Sequence, residues 1–202
     1  MPSKTMELYG YLKEDVIRLR FRADEIINEK DLAEKYQVSK TPVREALGML
    51  VQEGYLKKLP RVGYLLRELT AEEYRKLIYL RYTLEKGVVL WIIGHCTDEE
   101  IDSLRAYCTA TDMAYKEFAG INYDFHIAMA RLTGNEYLAA GVQNSFDRMI
   151  RVPSMNLYAE IQSQPHHYHL QLIDAMKARD EEKALALIRH ECRRDDDKDA
   201  DF

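Results

Sequence analysis

The residues of this sequence best suited to chemistry are nitrogen and oxygen donors at helical spacing. Asn122 and His126 stand four positions apart, so both side chains leave one face of a helix, and His169 and His190 follow in two later helical stretches. Three imidazoles and an amide oxygen gathered inside a bundle can hold a borderline dication such as zinc or nickel. A second group, Ser39, Lys40, Thr41 and Arg44, crowds the leading end of a short helix near the N-terminus. There an arginine can fork onto a guanine edge, and a lysine and a threonine can reach bases or phosphates. The remaining histidines, His95, His166 and His167, read as surface or helix-end residues. Tyr107, Tyr115, Tyr123, Tyr137 and Tyr158 can line a pocket, although aromatic residues at this spacing also serve a core.

These side chains need elements to carry them. Asn28 is a good helix cap, with Glu29 and Asp31 near the positive helix start and Leu32, Ala33 and Tyr36 at helical spacing behind it. Gln37-Val38-Ser39 interrupts that helix. Ser39 or Thr41 can cap a second one, with Pro42 in its first turn and Val43, Ala46, Leu47 and Leu50 facing inward as far as Gln52. Two short helices joined by a tight turn, the second with cations and hydroxyls at its N-terminus, fit a major groove. Glu53-Gly54 ends the second helix. Residues 55–58 and 64–66 then read as two short strands, a wing whose Lys57, Lys58 and Arg61 can reach backbone or minor groove. Ahead of all this, Leu8, Tyr11, Leu12, Val16, Ile17 and Leu19 predict a helix packed beneath the recognition pair.

From Thr70 the pattern changes. Thr70 followed by Glu73 is a capping signature, and the apolar residues from Tyr74 to Ile93 surround most of a helix, which predicts burial, in part within a dimer. Arg81 and Glu85 lie one turn apart on it and are expected to pair. Thr97 caps a helix expected to reach Met113, and Tyr115–Leu132 is the next, stopped by Thr133-Gly134-Asn135. A long helix from Glu136 to Ser163 with a kink near Pro153, another over Pro165–Lys177, and a last one capped by Asp180 and reaching Arg193 complete the series. No strand pattern follows residue 66. The expectation is a mainly α protein: a winged helix-turn-helix of three helices and a two-stranded wing over 1–68, then an all-α bundle of about six helices over 69–194. Residues 195–202 form an acidic tail.

Composition agrees. At 202 residues and 47% hydrophobic content, two cores can be filled. There is no apolar run of 18 residues and no apolar block at the N-terminus, so neither a membrane span nor export is expected, and the cytoplasm is the expected compartment. Cys96, Cys108 and Cys192 are odd in number without CxxC spacing, which argues for free thiols. Through Arg67 the chain has 13 Lys and Arg against 10 Asp and Glu, and thereafter 16 against 24, so a slightly basic head precedes an acidic body.

The run Ala33-Glu34-Lys35-Tyr36-Gln37-Val38-Ser39-Lys40-Thr41-Pro42-Val43-Arg44-Glu45-Ala46-Leu47, with Leu50 and Glu53-Gly54-Tyr55-Leu56, resembles the winged helix-turn-helix of the GntR superfamily of bacterial transcription regulators. Arg81 with Leu84-Glu85, Phe125-His126 before Thr133-Gly134-Asn135, and His169 before Ile173-Asp174-Ala175-Met176 and Arg179-Asp180 are similar to the helical FCD ligand-binding domain of its FadR-like branch. The first resemblance implies DNA contacts from Lys30, Ser39, Lys40, Thr41 and Arg44, with Arg61 and Gly63 at the wing tip. The second implies a divalent metal held by an aspartate and three histidines. Here those are Asn122 in the aspartate's place with His126, His169 and His190, the last one position short of the usual spacing, where Glu191 is the alternative. Asn122 offers a neutral, weaker oxygen than a carboxylate. Arg81 resembles the arginine that faces an effector carboxylate.

A homodimeric repressor follows from the resemblance, reading an inverted repeat in double-stranded DNA and answering a small organic acid. The rival reading, a metal-dependent enzyme using the histidines, lacks an HExxH helix, a nucleophile elbow and a Gly-rich phosphate loop.

Overall fold

The computed structural model describes residues 3–18, 20–22, 24–108, 115–149 and 165–192, without the side chains of 115–121 and 165–167. The expected run to Ser163, the kink at Pro153, Leu19 and the acidic tail lie outside the described residues. The chain divides into two compact units, one running through Thr70 and the other starting at Ala71.

In the first unit, α1 (Lys4–Ile17) is capped by Ser3, whose hydroxyl accepts from the Met6 amide, and it buries Leu8, Leu12 and Val16. These pack against Val43, Ala46, Leu47 and Leu50 of α3 (Lys40–Gln52) in one core with Leu32 of α2 (Glu29–Lys35). The turn between α2 and α3 is closed by two backbone bonds, Gln37 N–H to Glu34 and Val38 N–H to Ala33, with Gln37 in a left-handed conformation at φ 53°. Asn28 and Ser39 occupy the two N-cap positions in extended conformation, but neither side chain bonds to its helix. The cap positions are therefore as expected and the capping bonds are not. Asp15, buried on α1, accepts from Arg20 Nη1 at 2.8 Å, Lys35 Nζ at 3.1 Å and the Tyr36 hydroxyl at 3.0 Å. Burial opposes its charge, yet these donors hold the carboxyl below its usual range and tie α1 to α2.

Past Gly54, in a left-handed conformation that lets Tyr55 fold back onto Leu50, the wing forms from β1 (Leu56–Leu59) and β2 (Gly63–Leu66). They pair antiparallel, Leu56 opposite Leu66 and Leu59 opposite Gly63. Both strands differ slightly from expectation, because Leu59 and Gly63 join the ladder and Tyr55 stays in the core. Tyr64 also exchanges two backbone bonds with Ile27, which fastens the connector to the wing.

The second unit is helical throughout its described residues. α4 (Ala71–His95) runs through its centre and packs against α6 (Tyr115–Leu132), α7 (Glu136–Met149), α8 (Pro165–Lys177) and α9 (Glu181–Cys192). Val88, Val89, Ile92, Phe125, Met129, Val142, Leu172, Ile173, Ala184 and Ile188 fill the core. Thr97 makes the expected capping box with Glu100, but α5 (Asp98–Asp102) is a short helix that continues as a 3-10 turn over Ser103–Tyr107 instead of an α-helix towards Met113. The Ser103 hydroxyl donating to the Glu100 carbonyl at 2.6 Å competes with regular helical bonding there. Asp180 caps α9 through the Lys183 amide. The three cysteines are free and buried.

A Cβ at Gly63, whose φ is +150°, would stand 2.7 Å from the Ile27 carbonyl oxygen, whereas one at Gly48 on α3 meets nothing within 4 Å. Gly63→Ala is expected to destabilise the protein by about 1–3 kcal/mol. Gly48→Ala is expected to stabilise it by about 0.5–1 kcal/mol, both read by denaturant unfolding of the full chain.

Candidate functional site

The first candidate surface is the leading end of α3. Ser39, Lys40, Thr41 and Arg44 are all exposed there, as are Lys57, Lys58 and Arg61 on the wing and Lys30 on α2, which pairs with Glu34 at 3.8 Å. Arg61 sits at the tip in a left-handed conformation, φ 64°. Sequence reasoning gave Glu29 only a helix-start role. Its carboxylate instead accepts from Arg44 Nε at 3.1 Å and Nη2 at 2.8 Å, and from the Tyr64 hydroxyl at 3.1 Å. The Arg44 hydrogen bonds hold the Glu29 carboxyl below its ordinary range. The Nε and Nη2 edge of the guanidinium is thereby fixed across α2, α3 and β2. No local signal in the sequence joins residues 29, 44 and 64, because only the fold makes them neighbours.

The second candidate is buried in the helical unit. Four helices deliver it: Arg81 and Glu85 from α4, Asn122 and His126 from α6, His169 from α8 and Glu191 from α9. Arg81 Nε donates to Glu85 Oε2 at 3.1 Å, as expected from their spacing, and the guanidinium lies over the Phe146 ring with its carbon 4.1 Å from the centroid. His126, fully buried, has Nδ1 at 2.9 Å from Glu85 Oε1. Its Nε2 lies 3.0 Å from Arg81 Nη2 and 3.0 Å from Glu191 Oε2. His169 Nε2 is 3.2 Å from Asn122 Oδ1 and 3.6 Å from Glu191 Oε2, with its ring stacked on Phe125 at 4.0 Å.

Charge decides the character of this cluster. Burial disfavours ionised Glu85, but Arg81 and then His126 draw its carboxyl down to about 2. Glu191 is also held below its ordinary range, by His169 and His126 against the effect of burial. Burial lowers the His126 imidazole, but the Glu85 charge together with the hydrogen bonds to Glu191 and Glu85 outweighs it, so the net direction is upward.

Nε2 of His126 faces conflicting neighbours. Protonated, it meets the Arg81 amino group donor to donor. As a lone pair, it accepts from Arg81 but meets Glu191 acceptor to acceptor. Glu191 Oε2 accepts from Nε2 of His126, at 3.0 Å, only while that nitrogen carries a proton.

Such a donor set suits a dication. Nδ1 of His126 is tied to a buried carboxylate, the arrangement that fixes a metal-ligating imidazole with its Nε2 lone pair outward. One ligand atom from each of His126, His169 and Glu191 lies within 4.8 Å of the others. Zinc bound to imidazole at about 2.0–2.1 Å and to carboxylate at about 2.0–2.2 Å sets donors roughly 3–3.5 Å apart. The separations of 3.0 and 3.6 Å from Glu191 Oε2 to the two Nε2 atoms are close to this.

His190, the expected ligand, is not in the cluster. It is exposed and lies against the Tyr168 ring at 4.7 Å, because the buried stripe Ala184, Ile188, Cys192 turns residue 191 inward and residue 190 outward. That stripe was legible in the sequence and would have favoured Glu191. Of the other candidates, His95 is exposed against Trp91, Tyr107 and Tyr137 are exposed, and Tyr123 donates to Asp147 at 3.0 Å. The side chains of Tyr115, Tyr158, His166 and His167 lie outside the described residues.

Comparison with known proteins covers both units. Residues 4–66 match the family described as "Bacterial regulatory proteins, gntR family", and residues 76–193 match the FCD domain. The Nta operon transcriptional regulator of Aminobacter aminovorans is 31% identical over 175 residues, which cover 85% of this chain and 83% of that protein. The HTH-type transcriptional repressor GlaR of Escherichia coli K12 is 29% identical, covering 94% of this chain and 92% of its own. Among solved structures, E. coli McbR/YncC shares the fold with a TM-score of 0.75 at 23% identity, over 93% of this chain and 92% of that one.

Removing one partner of a buried ion pair strands the other. Glu85→Ala is therefore expected to destabilise the helical unit by about 3–5 kcal/mol. His190→Ala is expected to cost no more than about 1 kcal/mol, the comparison being made by calorimetry of the full chain.

Proposed function

The chain belongs to the GntR family of bacterial regulatory proteins and carries an FCD domain, and from that membership we propose that it is a repressor whose hold on its operator is set by a small organic acid. It is a transcription regulator and not an enzyme; the relatives that resemble it include a transcriptional regulator of the Nta operon and a transcriptional repressor. The observation that carries the reading is Arg44, exposed on the first turns of α3 and braced by Glu29 and Tyr64 as a pre-set fork beside Lys40 and Thr41. Bracing removes rotamer freedom before DNA arrives, which favours a specific base contact over a loose charge contact.

The finer parts of the proposal rest on general physics. One head buries little DNA, so a two-fold homodimer reading an inverted repeat is favoured. Tyr79, Leu80 and Trp91, exposed along α4, support a surface for a second copy. The buried cluster of His126, His169, Glu191 and Asn122 supports a divalent ion, zinc or nickel, and Arg81 supplies the guanidinium that a carboxylate effector would meet. Effector binding would favour one arrangement of the helical domain and so shift operator affinity. Among the described residues no helix is long and apolar enough to cross a membrane, and a bacterial DNA regulator works in the cytoplasm, where the DNA is.

Selection of duplexes from a random pool by the full-length protein is expected to enrich an inverted repeat. On that duplex Arg44→Ala should lose about 1–3 kcal/mol of binding and relax the preference at one position per half-site. Lys40→Ala should reduce the salt dependence. Undiminished, equally selective binding by Arg44→Ala would overturn the proposal.

A further inference from the structure

We propose that Arg81 is the built-in occupant of the dication site, so that its guanidinium and a divalent metal ion are alternatives on Nε2 of His126. The inference rests on the reading that His126, His169 and Glu191 hold an ion.

The geometry is specific about the conflict. With Nδ1 directed at Glu85, His126 has a single lone pair to offer, on Nε2. Arg81 Nη2, at 3.0 Å, takes it. Glu191 Oε2 lies equally close to the same nitrogen, so Nε2 satisfies Arg81 or Glu191 but never both. Any ion sharing His126, His169 and Glu191 needs that lone pair, so Arg81 has to withdraw Nη2 first. The guanidinium is built to do so without leaving the cluster. Its Nε keeps Glu85 Oε2 at 3.1 Å, and its face keeps the Phe146 ring.

The charge count points the same way. Glu85, fully buried, and Glu191, nearly so, bring two negative charges to the cluster, and Arg81 cancels one. In the metal-free protein the guanidinium therefore stands where the cation would act, and protects His126 from an unpaired carboxylate. A guanidinium fork that holds the His126 lone pair while anchored on Glu85 makes the site harder to load than the same donors without it.

The test uses full-length protein stripped with EDTA and loaded with Zn2+ in competition with a chromophoric chelator. Arg81→Lys keeps the charge but loses the fork, and should bind Zn2+ at least about tenfold more tightly than the wild type. Glu191→Gln should bind at least about tenfold more weakly. Equal or weaker binding by Arg81→Lys, with the wild type binding Zn2+, would overturn the inference and leave the metal reading intact. No Zn2+ binding by any form would remove both. Should Arg81→Lys not fold, nitrogen NMR of arginine-labelled wild type decides the matter. The slowly exchanging guanidinium protons of the buried arginine should shift or exchange faster on adding Zn2+, and an unchanged signal would contradict the proposal.

Discussion

Burial of the Arg81–Glu85 ion pair is the constraint on which the helical unit depends. Both side chains are removed from water on α4, where a lone charge would cost several kcal/mol. Each must then find all its partners within the protein. Glu85 finds Arg81 on its own helix and His126 on α6. Arg81 finds His126 and the face of Phe146 on α7. Through His126 the same network reaches Glu191 on α9 and, at a longer separation, His169 on α8. Apolar packing of Val88, Ile92, Phe125, Leu172 and Ile188 brings the helices together, but it specifies their register only loosely. The polar network accepts one register, because a helix turned by one residue would replace a partner with a stranded charge.

The head solves a smaller version of the same problem. Glu29 would repel DNA if it stood alone, yet it braces Arg44 through two nitrogens and is itself held by Tyr64. Because Tyr64 also exchanges two backbone bonds with Ile27, the wing, the connector and the recognition helix share one brace. Asp15 does the equivalent work beneath α2, gathering Arg20, Lys35 and Tyr36. Acidic residues in a DNA-reading head thus position cations as well as reduce net charge.

Much of this architecture was legible because local rules and tertiary packing agree. The helix pair of the head, the wing, the boundary near Thr70, the Arg81–Glu85 pair and the Asp180 cap all follow from spacing and end signals. Where they failed, a different physical effect won. The Thr97 capping box formed, but Ser103 bonded back onto the turn and α5 tightened into a 3-10 segment. Asn28 took the cap position without a side-chain bond to the helix, its amide donating to the Ile26 carbonyl instead. The exchange of His190 for Glu191 shows the limit of carrying a spacing across: one residue rotates a helical side chain by about 100°, and only the buried face of α9 decides which comes inward. Glu29 was beyond reach because its partners are 15 and 35 residues away.

The central claim is that the buried cluster holds a cation through two imidazoles and the Glu191 carboxylate. X-ray absorption at the zinc edge of the reconstituted full-length protein tests it most directly. Two histidine nitrogens with oxygen donors in the remaining shell, altered by Glu191→Gln and unaltered by His190→Gln, is the predicted result. A shell of three imidazoles, or one that changes with His190→Gln and ignores Glu191→Gln, would contradict it.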